Sequence, residues 1–325
     1  MASRKVCILG GTGFVGRHLA NELYRRGDQV LVLTANRERH RELLIVPSLT
    51  LREVDVFDTR ALEQAIAGHD VVINLIGILN ERGHDGSGFH KVHVQLPRQV
   101  AESCRKLGIP RLLQMSALGA EPGRAPSYYL RSKGEGESQA LMQARPDVAV
   151  TIFRPSVIFG PGDSFINRFA GLLRLVPLAF PLACHRSRYA PVFVGDVVRA
   201  FANSIDDPDT YNQRFDLCGP HIYTLREIVE YTARTAGLRR RIIGLNDLFS
   251  RLQAGIMEYL PGKPLSVDNY LSTRVDNVCG TRNGLDFFGI EPTPMEAVVP
   301  TYLGQRTARD QYPEYRRQAR SGRHG

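Results

Sequence analysis

Tyr129 and Lys133, four residues apart in Tyr129-Leu130-Arg131-Ser132-Lys133, are the first side chains whose types and spacing could do chemistry. On a helix that spacing puts both on one face. An ammonium group beside a phenol favours the phenolate and lowers a pKa that is about 10 in water, making the tyrosine a usable acid/base near neutral pH and a partner for hydride transfer. The same spacing also describes an ordinary pair on an amphipathic helix, so the surrounding chain has to decide between the two. Tyr128 lies one residue out of phase and is the poorer candidate.

The second candidate is Gly10-Gly11-Thr12-Gly13-Phe14-Val15-Gly16, which follows the apolar run Lys5–Leu9 and opens a segment where Val15, Leu19 and Leu23 recur at helical spacing. A glycine-rich turn between a buried strand and a helix lets bare N–H groups and the positive helix end approach a pyrophosphate that a Cβ would obstruct. Gly10, Thr12, Gly13, Phe14, Val15 and Gly16 are therefore candidate dinucleotide contacts, with a purely structural turn as the alternative. The next strand-like run ends in Leu33-Thr34-Ala35-Asn36-Arg37. A free ribose 2′-hydroxyl would want an acidic residue there, and none precedes Glu38. Arg37 and Arg39 can instead meet a 2′-phosphate, which favours NADP(H) over NAD(H); the alternative is a solvated helix start within Arg37 to Arg41.

The elements that must position these groups alternate regularly. Strands are expected at Lys5–Leu9, Gln29–Thr34, Thr50–Val54, Val71–Leu75, Arg111–Met115 and Val148–Phe153. Helices are expected at Val15–Arg26, Thr59–Ala67, Val92–Leu107 and Ser127–Arg145. Runs such as Val71-Val72-Ile73-Asn74-Leu75 suit strands buried on both faces, and the repeated alternation predicts a doubly wound parallel α/β sheet. Beyond Arg154 the prolines and glycines thicken. Strands are expected at Tyr189–Val194, Gln213–Leu217 and Arg241–Ile243, and helices at Asp196–Ile205, Leu225–Ala236, Leu248–Tyr259 and Pro294–Leu303. This reads as a smaller C-terminal α/β substrate lobe over the carboxyl edge of the sheet. The expected division is 1–160 for the nucleotide-binding domain, 161–305 for the lobe and 306–325 for a flexible basic tail.

The Gly10, Gly13, Gly16 spacing resembles the short-chain dehydrogenase/reductase superfamily, whose fold is of Rossmann type. By that resemblance Asp55-Val56 contacts the adenine, and Ile76 and Gly77, in Asn74-Leu75-Ile76-Gly77, lie beside the cofactor. Tyr129 is then the acid/base, and Lys133 its pKa-lowering and ribose-binding partner. Superfamily enzymes usually add a Ser or Thr after the fifth strand. Here only Ser116 is available, with Ala117 and Leu118 beyond it, a departure that bears on catalysis and leaves binding intact. Arg154-Pro155-Ser156-Val157-Ile158-Phe159-Gly160-Pro161-Gly162-Asp163 resembles the passage into the substrate lobe of extended and atypical members, with Pro155 and Ser156 bordering the nicotinamide. Val192-Phe193-Val194-Gly195-Asp196-Val197 is similar to a strand-to-helix entry, with Asp196 read as a helix cap. Tyr129-Leu130-Arg131-Ser132-Lys133-Gly134-Glu135-Gly136-Glu137, followed by Arg154 to Gly160, Asp163-Ser164-Phe165-Ile166-Asn167 and Asp286-Phe287-Phe288-Gly289-Ile290-Glu291-Pro292-Thr293-Pro294, resembles the atypical branch of the epimerase/dehydratase family that holds the 39 kDa accessory subunit of respiratory complex I and its bacterial relatives. The resemblance implies firmly bound NADPH, a membrane-proximal location and a link to ubiquinone or its synthesis, without implying turnover.

Composition sets the outer bounds. The chain has 325 residues, 43% of them hydrophobic and 23% charged, which suits a folded core and excludes disordered or fibrous architectures. The net charge is +9, and six arginines after residue 305 (Arg306, Arg309, Arg316, Arg317, Arg320, Arg323) face only Asp310 and Glu314. No nucleic-acid-binding motif accompanies this charge, so a nucleic-acid partner is not expected. The apolar stretch Leu172 to Cys184 is too short and too interrupted to span a bilayer, and Met1 to Lys5 lacks the layout of an export signal. A cytoplasmic protein is expected, with peripheral contact to the inner face of the membrane as a secondary expectation. That contact would use Phe169 to Leu182, with Arg168 and Arg174 interleaved, and Leu238-Arg239-Arg240-Arg241 before Leu248, Leu252, Ile256, Tyr259 and Leu260. Five scattered cysteines predict reduced thiols, without disulfides or a metal site.

Three readings follow. The first is an NADP(H)-dependent oxidoreductase acting on a hydrophobic carbonyl or quinone-type substrate. The second is a non-catalytic, NADPH-stabilised subunit or assembly factor of a membrane respiratory or quinone-synthesising complex. The third is a nucleotide-sugar epimerase or dehydratase.

Overall fold

The computed structural model describes residues 3–38, 49–81, 83–259, 263 and 265–304. Its first half runs β1 (Lys5–Leu9), α1 (Phe14–Arg25), β2 (Gln29–Thr34), β3 (Leu49–Glu53), α2 (Thr59–Ile66) and β4 (Val71–Asn74). It continues through α3 (Ser87–His90), a π-helical turn (Lys91–Gln95), α4 (Leu96–Lys106), β5 (Arg111–Met115), α5 (Tyr128–Ala144) and β6 (Ala149–Pro155). Alternate residues of β1 enter opposite cores: Val6 and Ile8 pack on the face covered by α1, and Cys7 and Leu9 on the face covered by α2 and α4. A strand buried on both sides carries no polar alternation, which is why these runs are almost wholly apolar.

The predicted helix Val92–Leu107 is interrupted where Pro97 offers no N–H to the His93 carbonyl four residues back, and the chain widens into the π turn there. The His93 carbonyl faces α5 at Gly136, where an added Cβ would lie 1.8 Å from that oxygen. Gly136 thus sets how closely the π turn approaches the helix bearing Tyr129 and Lys133.

The second half runs β7 (Ile158–Phe159), α6 (Ile166–Leu175), β8 (Ala179–Leu182), β9 (Arg188–Tyr189), β10 (Val192–Phe193) and α7 (Val194–Ser204). Then come β11 (Arg214–Leu217), β12 (Tyr223–Thr224), α8 (Leu225–Thr235), β13 (Arg241–Gly244) and α9 (Asp247–Met257). Three short helices close the described chain: α10 (Val267–Ser272), α11 (Gly284–Phe287) and α12 (Met295–Leu303). The central sheet has seven parallel strands in the order β11-β6-β5-β4-β1-β2-β3. Chain direction across the sheet reverses between β1 and β4, and a ligand crevice opens at the carboxyl ends of the strands at such a reversal. The pairs β7 with β10, β9 with β12 and β8 with β13 lie outside this sheet.

Three expectations are corrected. The strand predicted over Tyr189–Val194 is two short strands in separate sheets, divided at Pro191, which has no N–H to donate to a ladder. Asp196 does not cap a helix: it lies inside the first turn of α7, fully buried, and accepts from the Thr293 N–H (2.7 Å), the Thr293 hydroxyl (3.0 Å) and Arg199. Nor are all five cysteines reduced. Cys218 and Cys279, 61 residues apart, form a disulfide, while Cys7, Cys104 and Cys184 are free. The fold brings that pair together at the end of β11, where the Asn283 amide bonds both the N–H and the C=O of Cys218. Arg39, Arg41, Leu260 and the basic tail lie outside the described residues.

Candidate active site

The glycine turn sits at the reversal point. Gly10 adopts φ +77°, and a Cβ there would lie 3.1 Å from the Ile76 nitrogen, so the turn runs directly beside the segment leaving β4. Gly16 is tighter still, since its Cβ would fall 2.4 Å from both the Gly10 oxygen and the Gly11 Cα. Helix α1 therefore starts pressed against the turn. Its cap residue, Gly13, makes no side-chain cap hydrogen bond, and the first turn holds no acidic residue. The leading N–H groups of a twelve-residue helix are thus left for an external anion, with the helix dipole favouring negative charge. These features fit a dinucleotide pyrophosphate.

The other proposed contacts rim the same edge. Asn74, at the end of β4, is fully buried; its amide donates to Gln114 (3.0 Å) and its carbonyl accepts from the Ile76 N–H (3.1 Å), fixing the course of Ile76 and Gly77. Asp55 is exposed and accepts from the Phe57 N–H (3.0 Å), the turn role open to any Asp after a strand, and Val56 is half-buried against the core. Arg37 is exposed past the end of β2, where its N–H donates to Glu53 (3.0 Å). Pro155 and Ser156 are buried at the end of β6, and the Ser156 hydroxyl donates to the Asn277 side-chain oxygen (2.6 Å).

Helix α5 carries the tyrosine and lysine. Its start is held by Ser127, which accepts from the Leu130 N–H (3.2 Å), and by Asp268, which accepts from the N–H groups of Tyr128 (2.6 Å) and Tyr129 (3.1 Å). The Tyr129 ring packs edge-on against His93 (5.5 Å between centroids) and Phe89 (6.1 Å), and its hydroxyl has no hydrogen-bond partner among the described residues. Lys133 is buried, with Nζ 3.4 Å from the Met115 carbonyl and close to Gly77, where an added Cβ would be 3.1 Å away.

Burial dominates both titrations. It pushes the Tyr129 phenol up to about 12, with the Asp268 carboxylate adding to the shift, and pushes Lys133 down to about 8 against the opposing pull of Glu137. The expectation that Lys133 lowers the Tyr129 pKa is therefore reversed in this arrangement. Taking the phenolate out of water disfavours its charge, and taking the ammonium out of water disfavours that of the lysine.

His93 is a component that the sequence pattern did not single out. Its Nε2 accepts from the Ile78 N–H (3.0 Å), so the proton sits on Nδ1 and is shared with the Ser132 hydroxyl (3.0 Å), which donates to the Tyr129 carbonyl (2.9 Å). Burial and the neighbouring Lys133 push this imidazole down to about 2, so it is neutral at ordinary pH. It links the segment after β4 to α5. The only signal of it in the sequence is Pro97, which opens the turn around it.

Ser116 takes another role from the one its position suggested. Its hydroxyl donates to Glu137 (2.5 Å), the buried carboxylate that also takes Arg154 (2.7 Å) and Arg214 (2.9 Å). It belongs to an ion cluster joining α5, β6 and β11. A cleft of about 230 Å³ opens beside Tyr128, lined among others by Phe89, Leu271, His84, Glu258 and Asp268.

A parallel sheet with a glycine-rich, uncapped helix start at its reversal point defines a dinucleotide-binding α/β protein. Residues 6–218 match the model of the NAD dependent epimerase/dehydratase family, and the chain belongs to that family. It is 32% identical over 298 residues (89% of this chain, 77% of the relative) to NADH dehydrogenase [ubiquinone] 1 alpha subcomplex subunit 9, mitochondrial, of Mus musculus. It is also 30% identical over 247 residues, 74% of each chain, to a ceramide reductase of Caulobacter vibrioides. The fold matches UDP-glucose 4-epimerase of Thermus thermophilus in complex with NAD, with TM-score 0.62, 21% identity, and 82% of this chain and 98% of that one covered.

Proposed function

We propose that the protein binds NADP(H) at the glycine turn and reduces a hydrophobic carbonyl or quinone-type substrate, or oxidises the corresponding alcohol or quinol, in the cleft beside α5. Gly10, Thr12, Gly13, Phe14, Val15 and Gly16 would hold the pyrophosphate, Asp55, Val56, Ile76 and Gly77 the adenosine side, and Pro155 and Ser156 the nicotinamide border. Arg37 would meet the 2′-phosphate. A bound nicotinamide supplies or accepts the hydride. Tyr129 supplies or takes the proton at its hydroxyl, and Lys133, with its lowered pKa, exchanges that proton and holds the ribose. The unbonded Tyr129 hydroxyl on the same helix as a buried lysine carries this reading. The named homologues, a subunit of a ubiquinone-linked NADH dehydrogenase and a ceramide reductase, support hydrophobic substrates and contact with a respiratory complex.

Steady-state oxidation of NADPH with a panel of quinones and long-chain ketones tests the chemistry. Tyr129→Phe should lose turnover while NADPH still raises the melting temperature, and Arg37→Glu should shift preference toward NADH. Equal rates in wild type and Tyr129→Phe would overturn it. One observation favours a second reading, a nucleotide-stabilised scaffold: Ser116 gives its hydroxyl to Glu137, leaving the usual third polar position to Ala117 and Leu118. Native mass spectrometry showing NADPH retained, together with no turnover on any acceptor, would select the scaffold.

A further inference from the structure

Helix α9 is turned inside out. The residues it buries are Ser250 and Ala254, while Leu248 (73% exposed), Phe249, Leu252 and Ile256 face outward, followed by Tyr259 (81% exposed). A helix that served only its own core would bury the large apolar residues and expose the small ones. The same edge continues beyond the helix. Gln253 of α9 bonds the Pro181 carbonyl, Pro181 pairs in register with the exposed Ile243 of β13, and the Leu178 carbonyl, beside a side chain 81% exposed, accepts the Arg241 N–H. Leu175, 80% exposed, completes the group.

Charge identifies the partner. Arg174, Arg239 and Arg241 are exposed on the segments flanking this apolar face, with Arg240 half-buried beside them and Arg251 exposed on α9 itself. The two acids of this helix region are engaged: Asp247 accepts from the Tyr270 hydroxyl (2.7 Å), and Glu258 accepts from the Val267 N–H (3.3 Å) and sits 2.9 Å from His84. Among the described residues, no helix is long and apolar enough to cross a bilayer.

We infer that α9, with Leu175, Leu178 and Ile243, lies in the interface of an anionic lipid bilayer, the leucines among the acyl chains and the arginines on the headgroups. This deepens the peripheral location expected from the sequence and does not depend on the redox chemistry. Glu258, the residue after α9, also lines the cleft beside Tyr128, so the docked helix ends beside the candidate substrate site. A substrate dissolved in the bilayer would have a short path to it.

Flotation of the full chain with vesicles tests the inference, using pure phosphatidylcholine against equal parts phosphatidylcholine and phosphatidylglycerol. Binding is expected to the mixed vesicles and to weaken with salt. Leu252→Glu/Ile256→Glu should reduce the partition at least roughly ten-fold, and Arg239→Glu/Arg241→Glu roughly five-fold per arginine. Leu175→Ser/Leu178→Ser, on a separate element, repeats the test should the first pair unfold. The inference is overturned by absent flotation or by variants that float like wild type. It is equally overturned if light scattering finds a dimer that Leu252→Glu/Ile256→Glu disperses, which would give the face to a second copy. An NADPH-induced rise in melting temperature, measured on the same samples, reads the cofactor proposal separately.

Discussion

Lowering the pH should destabilise the protein through His93, which the fold holds neutral. In the unfolded chain this imidazole titrates near its ordinary value of 6.5, whereas burial and Lys133 hold it to about 2 in the fold. A folded pKa below the unfolded one means that the stabilisation is complete above pH 6.5 and is lost as pH falls, because the unfolded state then binds a proton that the folded state refuses. Between pH 7 and pH 5 the linkage amounts to roughly 2 kcal/mol. The comparison is with His93→Gln, which keeps a donor and an acceptor without a titration. Urea unfolding at the two pH values should show wild type losing roughly 2 kcal/mol more than the variant. Equal losses, or an NMR titration placing His93 near its ordinary value in the folded protein, would refute the neutral, doubly bonded imidazole. The link from Ile78 through Ser132 to Tyr129 would fall with it.

Two further substitutions probe the cofactor turn and the start of α5. Gly16→Ala puts a methyl group into the backbone of Gly10 and Gly11, so α1 must lift off the turn; a loss of about 1–3 kcal/mol in denaturant unfolding and loss of the NADPH-induced rise in melting temperature are expected. Asp268→Ala strips the acceptor from two leading N–H groups of α5 and should cost about 1–2 kcal/mol in thermal unfolding, with Asp268→Asn recovering part because its amide oxygen still accepts.

The local half of the site was legible because its physics is local. The glycine turn is written in consecutive residues, β1 declares itself by an unbroken apolar run, and Tyr129 and Lys133 share a face through one turn of helix. Expected boundaries such as Lys5–Leu9, Gln29–Thr34 and Arg111–Met115 coincide with the observed strands for that reason. What escaped depends on distance. Nothing near Ser116 announces that Glu137 will claim its hydroxyl, and nothing near Cys218 points to Cys279. The raised tyrosine titration escaped for a related reason: spacing puts Tyr129 and Lys133 on one helix face but does not reveal that the fold strips water from both.

Distance in sequence also separates the contacts that tie the two halves of the chain together. Asp268 reaches back 139 and 140 residues to seat the N–H groups that start α5, and Asn277 reaches back 121 to take the Ser156 hydroxyl and bond the Val157 N–H. Asn277 also exchanges backbone bonds with Arg188 and Ala190, and the Cys218–Cys279 bridge ties its segment to the end of β11. The glycine turn needs none of these contacts. On the function proposed above, affinity for the pyrophosphate would be set mainly by the opening unit of β1, turn and α1, while the seating of Tyr129 and Ser156 depends on segments far along the chain. Damage to the second half should consequently impair turnover before it impairs nucleotide binding.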